Sequence, residues 1–235
     1  VIVPIPTLGG VKDLCTQEFL DTSREFVAKC NEYGCKVIAQ IFSGVGMRVN
    51  DYSEKELSQI VEDLSLAAKK IKEAGYDGIE IHGAHHSLFM ALYSPIENQR
   101  NDIYGGNFVN RTRLQLATVK AIREAVGTDF PFFFRFSASE LCEGGANLES
   151  SILYARLLEQ NGVDCIDVSA GGTAHAPKNS ECPDLNLPEG VFQDIFSAIK
   201  SAVNVPVIGC GNIVSRHKAE EILKDGKADL IGIGR

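Results

Sequence analysis

One pattern recurs four times along this chain of 235 residues and restricts its fold more than any other feature. In each copy, a stretch with helical periodicity ends near a glycine, and a short apolar run follows. The four glycines are Gly34, Gly75, Gly162 and Gly226, and the runs are KVIAQI, GIEIHG, CIDVSA and DLIGIG. A glycine just past a helix supplies the left-handed conformation that ends it. The repeat predicts helices alternating with parallel strands that helices cover.

Two further apolar runs, PFFFRFS (131–137) and VPVIGCG (205–211), bring the clear strands to six. Ser53 and Glu56 have the spacing of a capping box that opens one helix. Such alternation leaves an open doubly wound sheet or a (β/α)8 barrel. Six units plus an apolar stub at residues 1–6 fill 235 residues, whereas a complete barrel needs about 250. We expect a single domain over residues 1–235, an α/β fold of the (β/α)8 TIM barrel type. It lacks its first strand and part or all of its second, and ends at its last strand.

Composition argues against several classes of protein. Lys and Arg total 23 against 31 Asp and Glu, and the net charge of −8 argues against a broad surface for nucleic acid or anionic membranes. No apolar run approaches the roughly 20 residues of a membrane helix. The seven cysteines are scattered without a CxxC pair, as in a reduced protein. We expect a cytoplasmic protein with a small-molecule partner and no nucleic-acid or membrane partner.

Glycines gather where the last two predicted strands end. Gly211 and Asn212 follow one strand, and Gly234 with Arg235 follows the next. Glycines let backbone N–H groups approach an anion closely, and a phosphate site after the seventh and eighth strands recurs among barrels. Ser215 is placed to cap a helix whose N-terminus favours negative charge. We predict a phosphate site here; the alternative is that these glycines only form tight turns.

Two histidines lie at the end of the predicted strand GIEIHG. His82 and His85 are spaced to reach one pocket, where imidazole can hydrogen-bond a carbonyl or enolate oxygen. We expect no metal site, because no Cys, Asp or Glu with matching spacing lies in the same loop. Arg135 lies in an aromatic strand, where its charge needs an anionic partner. The structural alternative for Arg135 is an ion pair with Glu80 on the neighbouring strand.

Residues 94–113 are too long and too polar for a simple connector, and they predict an ordered loop rich in mutual hydrogen bonds over the site. Together these motifs resemble the old yellow enzyme family, the NADH:flavin oxidoreductases that act as FMN-dependent ene-reductases and include 2,4-dienoyl-CoA reductase and 2-enoate reductase. The likeness lies in HGAH (82–85), SPxxNxRxDxYGG (94–106), NR (110–111), RFS (135–137) and ADLIGIGR (228–235). The resemblance implies a (β/α)8 barrel flavoprotein that holds FMN at the top.

The resemblance also implies roles for single positions. Gln40 would bind the pyrimidine ring of FMN, and Arg135 would lie at the N1/O2 edge and stabilise the anionic reduced form. His82 and His85 would hydrogen-bond the activating carbonyl of the substrate, whose β-carbon then accepts hydride from the flavin. The remaining cofactor contacts would be Gly172 and, around the phosphate, Gly211, Asn212, Gly234 and Arg235.

Two positions depart from the family's pattern. Ser87, the third predicted catalytic residue, stands where a Tyr commonly serves as proton donor. Because serine is a poor acid, the proton would come from water or from another group such as Tyr93, His86 or His175. The run at residues 42–48 replaces the usual His-x-Gly-Arg and alters a loop that bears on substrate access.

The function predicted from this resemblance is an FMN-dependent NAD(P)H oxidoreductase that reduces the activated C=C bond of an enone or enoate, with NADH or NADPH as electron donor. The alternatives are flavin-dependent dehydrogenation or demethylation of an amine, a flavin-free barrel enzyme acting on a phosphorylated substrate, and a non-catalytic binding domain. The resemblance places any iron–sulfur cluster beyond residue 235 and is compatible with a homo-oligomer.

The chain begins with Val1 rather than Met and lacks the family's first strand, whose loop contacts the flavin. A barrel without that strand exposes two edges and part of its core. We therefore expect the 235 residues alone to bind FMN weakly or not at all, and the full protein to bind it tightly. Submicromolar affinity of the refolded piece for FMN would contradict this expectation.

Overall fold

A computed structural model describes residues 1–5, 11–42, 44 and 46–234 of the chain. Within these ranges the strands are β1 (Ile2–Pro4), β2 (Ile38–Phe42), β3 (Gly78–Gly83), β4 (Phe132–Ser137), β5 (Cys165–Ser169), β6 (Val207–Gly209) and β7 (Leu230–Ile231). The α-helices are α1 (Gln17–Glu32), α2 (Glu54–Glu73), α3 (Leu88–Tyr93), α4 (Phe108–Val126), α5 (Leu148–Gln160), α6 (Gln193–Lys200) and α7 (Arg216–Lys224). Short 3-10 helices lie at Val11–Cys15 and Gly46–Arg48.

The strands form one parallel sheet whose spatial order follows the chain from β1 to β7. The sheet curls, because Pro4 on β1 and Leu230 on β7 line the same cavity of about 740 Å³. This is the expected partial (β/α)8 barrel, and the prediction is confirmed. The structure refines one detail, since the apolar stub contains a short strand, β1, that pairs with β2.

Local signals in the sequence explain the helix boundaries. The capping box that opens α2 is present: Ser53 Oγ accepts a hydrogen bond from the Glu56 N–H at 3.2 Å, and the Glu56 carboxylate accepts one from the Ser53 N–H at 2.7 Å. Gly34 and Gly162 follow α1 and α5 with φ of 72° and 102°, the left-handed conformation that the repeat predicts. No helix in the described ranges is long and apolar enough to cross a bilayer.

The two faces of β4 show how the fold positions polar groups. Phe134 and Phe136 are fully buried on the outer face, where the ring of Phe136 meets Tyr154 of α5 edge-on at 5.3 Å between centroids. Successive side chains on a strand point to opposite faces. Arg135 therefore points into the curled sheet, where it lines the central cavity.

Candidate functional site

Gln40 and Glu80 lie side by side on the inner face of the sheet. They are register partners on β2 and β3, and Gln40 Nε2 donates a hydrogen bond of 2.6 Å to Glu80 Oε1. Glu80 is completely buried. Burial, together with the negative charge of Asp167, raises the pKa of Glu80 to about 8. Gln40 itself lines the central cavity.

Arg135 forms an ion pair with a carboxylate on the next strand. Arg135 and Asp167 are register partners on β4 and β5, and Arg135 Nη1 lies 2.8 Å from Asp167 Oδ2. The structural alternative, an ion pair between Arg135 and Glu80, is wrong, because the guanidinium pairs with Asp167 on β5 instead. Burial raises the pKa of Asp167, while Arg135 acts in the opposite direction. The Arg135 side chain keeps about a quarter of its surface open to the cavity.

A second, smaller cavity adjoins the central one at the glycines of the strand ends. Besides the volume of about 740 Å³ inside the sheet, a smaller pocket of about 180 Å³ lies among the loops that follow β6 and β7. Both volumes are bordered by Arg135, Cys210 and Gly234. Ligand sites in proteins commonly enclose about 300–1,000 Å³. Gln40, Arg135 and Asp167, with Glu80 buried beside them, form the polar floor of the central cavity. Gly211, Asn212 and Gly234 line the smaller cavity and are called the glycine loop.

Gly211 and Asn212 form the wall of the smaller pocket. Gly211 has φ 113°, and a Cβ there would lie 2.7 Å from the ring of Phe192, so only glycine fits. Asn212, with φ 53°, donates from Nδ2 to the Leu187 carbonyl at 2.7 Å. Within the described residues its buried Oδ1 has no hydrogen-bond partner. Gly211, Asn212 and Gly234 are thus brought together as the sequence suggests, whereas Arg235 lies outside the described residues.

A carboxylate of the chain itself accepts hydrogen bonds from the amides at the N-terminus of α7. Ser215 caps the helix as predicted, its Oγ accepting from the Lys218 N–H at 3.1 Å. Glu189 Oε2 accepts from the Val214 N–H at 3.1 Å and the Ser215 N–H at 2.8 Å. The negative charge that this helix end favours therefore comes from Glu189. A bound phosphate would have to use the glycine loop rather than these two amides.

The two predicted histidines lie together at the end of β3. The ring of His82 stacks on Phe42 at 5.6 Å and lies 5.5 Å from the ring of His85, measured between centroids. Burial, helped by the positive charge of Arg135, lowers the pKa of His82 to about 4 and that of His85 to about 3. Both imidazoles are therefore neutral at neutral pH, and each ring has one N–H donor and one acceptor nitrogen.

Contacts behind His85 hold it in an unusual backbone conformation. His85 has φ 35°, and a Cβ on Gly172 would lie 2.8 Å from its ring carbon Cδ2. The ring nitrogen Nε2 lies 2.7 Å from Ser169 Oγ at the end of β5. Gly172 thus packs against the histidine, and the structure places this predicted cofactor contact beside His85 rather than in the glycine loop.

Two candidate proton donors are buried and hydrogen-bonded within the fold. Ser87 is completely buried, and its Oγ accepts from the Met90 N–H at 3.2 Å as the cap of α3. The Tyr93 hydroxyl is buried and lies within 3.0 Å of the hydroxyls of both Ser150 and Ser151. Burial also raises the pKa of Tyr93. The geometry gives Ser87 and Tyr93 no open path to the cavity, so the chemistry proposed below uses neither.

The predicted loop over the site is ordered by bonds to main chain. Asn98 Nδ2 donates to the carbonyls of Leu92 and Tyr104 at 2.7 and 2.8 Å. Arg100 Nη1 donates to the carbonyls of Val49 and Tyr52 at 2.8 and 2.6 Å. The prediction of a hydrogen-bonded loop is confirmed for residues 94–107, whereas residues 108–113 belong to α4.

The sequence reasoning missed Asp167 and the contact between Glu80 and Gln40. The available signal was a carboxylate inside an otherwise apolar buried strand, in CIDVSA as in GIEIHG. A charged residue there requires a partner or a ligand. The altered run at residues 42–48 is described only in part, because Ser43 and Val45 lie outside the described residues. No group of three or more His, Cys, Asp or Glu in the described ranges could hold a metal ion.

Comparison with known proteins identifies the family and several relatives of the chain. The sequence model of the NADH:flavin oxidoreductase / NADH oxidase family matches residues 14–235. An NADH oxidase of Thermoanaerobacter brockii is 39% identical over 193 residues, which cover 82% of this chain and 29% of that protein. An NADPH dehydrogenase of Halalkalibacterium halodurans is 37% identical over 183 residues, covering 78% and 52%. The chain thus spans between about a third and a half of the length of these relatives.

Solved structures confirm the fold. A 2-naphthoyl-CoA reductase in complex with 2-naphthoyl-CoA superposes with a TM-score of 0.83 at 21% identity, over 93% of this chain and 38% of that one. Histamine dehydrogenase from Rhizobium sp. 4-9 superposes with a TM-score of 0.77 at 23% identity, over 94% and 35%. These two proteins bear the names of different reactions, so the shared fold leaves the substrate to be argued from the site.

Proposed function

Because the chain belongs to the NADH:flavin oxidoreductase / NADH oxidase family, we propose that it forms the FMN-binding barrel of an NAD(P)H-dependent oxidoreductase. The observation that carries the proposal is a pair of adjoining cavities: Gln40 and Arg135 line one, the glycine loop lines the other, and Arg135 borders both. Gln40 and Arg135 would hold the flavin ring, and Gly211, Asn212 and Gly234 would hold its phosphate.

The residues fit such a ligand in three respects. Gln40 donates to Glu80, which leaves its amide oxygen as an acceptor, while Arg135 supplies a donor and a positive charge. Gly211 leaves open the space that a Cβ would fill, and the buried Oδ1 of Asn212 has no partner among the described residues. A planar ring with both donor and acceptor edges and an anionic tail matches this distribution of polar groups.

Bound FMN would supply two-electron transfer between a nicotinamide and a second substrate. The side chains of the site hold and polarise what binds beside it. Neutral His82 and His85 can donate to a carbonyl oxygen, and donors aimed at an oxygen that gains charge lower the barrier of a reaction. Arg135 offsets negative charge that develops at the floor of the site.

The proposed substrate is an α,β-unsaturated carbonyl compound, an enone or enoate, whose carbonyl the two histidines hold. Ser87 and Tyr93 are buried and bonded elsewhere, so a proton for the α-carbon would come from solvent water. His86 and His175 are exposed at the surface. A water-derived proton predicts solvent deuterium at the α-carbon.

The first test is an absorbance spectrum of the full-length protein purified without added cofactor, followed by anaerobic addition of NADH and then NADPH. Flavin bands that bleach with one nicotinamide support the proposal and identify the donor. A colourless protein that also fails to take up FMN overturns it and leaves the cavity to a phosphorylated substrate. Turnover of an enone but not of a tertiary amine then supports the substrate class, and the reverse result overturns it.

A further inference from the structure

Beneath the proposed flavin contacts, two buried carboxyl groups share the one cation that the described residues place there. Glu80 and Asp167 have 0% and 1% of their surface exposed. Arg135 pairs with Asp167, whereas Glu80 receives only the neutral amide of Gln40. Within the described residues, Glu80 Oε2 and Asp167 Oδ1 have no hydrogen-bond partner. The cluster therefore holds one positive charge for two acids, and at most one of them is fully compensated.

Among the residues that the structure describes, no second cation faces Glu80. The charged and titratable groups that face it from the neighbouring strands are Arg135, Asp167, Cys165 and Cys210. Burial raises the pKa of Cys210 to about 11 and also raises that of Cys165, so both thiols are neutral near neutral pH. Lys36, which borders the cavity at its other end, is paired with Asp77 at 2.7 Å. Glu80 is thus the group in this cluster whose protonation state can change.

We propose that Glu80 is a positioning residue that, in alkaline solution, takes up one proton when flavin held by Gln40 and Arg135 is reduced, and releases it on reoxidation. This inference rests on the function proposed above. Reduction by NAD(P)H transfers a hydride, two electrons and one proton, to the flavin and leaves NAD(P)+. A second proton passes from solvent to the Glu80 carboxylate, which becomes a neutral carboxylic acid.

The physical reason is competition for Arg135. Reduction places negative charge beside the guanidinium, which then offsets the charge of Glu80 less well, and a less compensated buried carboxylate binds a proton more tightly. The carbonyl oxygen of the protonated acid still accepts from Gln40 Nε2. The amide of Gln40 therefore keeps its orientation, and the net charge of the cluster stays nearly constant through the redox cycle.

The test measures proton uptake during reduction. The intact flavin-loaded protein is reduced anaerobically with NADH or NADPH, whichever it uses, in weakly buffered solution containing a pH-indicator dye. Burial and Asp167 raise the pKa of Glu80 to about 8, so the group is already mostly protonated in neutral and acidic solution and is a carboxylate only in alkaline solution. We expect the uptake of the unmodified protein to exceed that of Glu80→Gln by up to one proton per flavin near about pH 9, and by almost none near about pH 6.

A control variant and the flavin spectrum keep the outcomes separate. Glu124→Gln makes the same chemical change at an exposed position of α4 and should leave the uptake unchanged. Uptake in Glu80→Gln equal to that of the unmodified protein at every pH overturns the inference while the proposed function stands. A protein that binds no flavin has no flavin spectrum, and that result overturns the proposed function and this inference together.

A second measurement serves if Glu80→Gln does not retain flavin. The reduced-minus-oxidised infrared difference spectrum of the unmodified protein, recorded at alkaline pH, reports protonation of a buried carboxyl directly. A new carbonyl stretch of a protonated acid that shifts in heavy water supports the inference. A spectrum without such a band overturns it.

Discussion

The loop at residues 94–107 and the floor of the cavity are both rich in polar side chains, yet they use them differently. In the loop, Asn98 and Arg100 bind main-chain carbonyls at close range. On the floor, Glu80 and Asp167 each retain an oxygen without a hydrogen-bond partner among the described residues. The comparison teaches that a distinctive motif can be chiefly structural, whereas incompletely satisfied buried groups indicate where a ligand binds.

The largest effect that would sharpen this comparison is expected at Arg135. Replacing it in Arg135→Met leaves Asp167 buried without its cation, and breaking a buried ion pair in this way costs about 3–5 kcal/mol of stability. The variant should also lose FMN binding, because the only guanidinium that borders both described parts of the cavity is gone. Denaturant unfolding and FMN titration of the intact protein measure the two losses.

A double variant separates the two losses. In Arg135→Met with Asp167→Leu, no charge is left unpaired, so most of the stability should return while FMN binding does not. Arg216→Met serves as a control, because Arg216 is exposed on α7 and its surface ion pair contributes less than about 1 kcal/mol. FMN affinity that recovers together with stability in the double variant would refute a direct role for Arg135.

The second prediction concerns the loop. Arg100→Gln removes hydrogen bonds to the carbonyls of Val49 and Tyr52 and the ion pair with Asp102, and we expect a loss of about 2–4 kcal/mol in the free energy of unfolding. The FMN affinity of the folded fraction should not change. Equal fractional losses of FMN affinity in Arg100→Gln and Arg135→Met would break the distinction between the two regions.

The fold could be predicted well from the sequence because the signals that indicate it are local. Helical periodicity, the capping box at Ser53 and the glycines after helices each depend on a few neighbouring residues, and all are confirmed. The floor of the cavity depends on pairing between strands. The partner of Arg135 could not be chosen between Glu80 and Asp167 without the register that sets Asp167 beside it. The hydrogen bonds from the Val214 and Ser215 N–H groups to Glu189, just before α7, are also long-range contacts that no local pattern indicates.

The third prediction tests the glycine loop with a matched pair of substitutions. Gly211→Ala places a methyl group 2.7 Å from the ring of Phe192 at φ 113°, and such strain costs about 1–3 kcal/mol. It should also weaken FMN binding by roughly tenfold or more, since about 1.4 kcal/mol corresponds to a factor of ten. Gly34→Ala also introduces alanine at positive φ, but with nothing within 4 Å, and should leave FMN binding unchanged. Equal effects of both variants on FMN affinity would show that Gly211 has only a turn-forming role.

The smallest expected effect concerns pH and extends the comparison to the histidines. His82 has a folded-state pKa of about 4, below its ordinary value of 6.5, because burial and Arg135 disfavour its charged form. The unfolded chain therefore binds more protons than the folded one between these values, and stability falls as pH decreases through that window. We expect His82 to contribute a slope of about 1 kcal/mol per pH unit there, which His82→Gln should lose. His217→Gln, at an exposed position of α7, should keep the full slope. Equal slopes in both variants would mean that His82 gains its proton without unfolding, and the site would then hold a charged imidazole rather than the neutral donor that carbonyl binding uses.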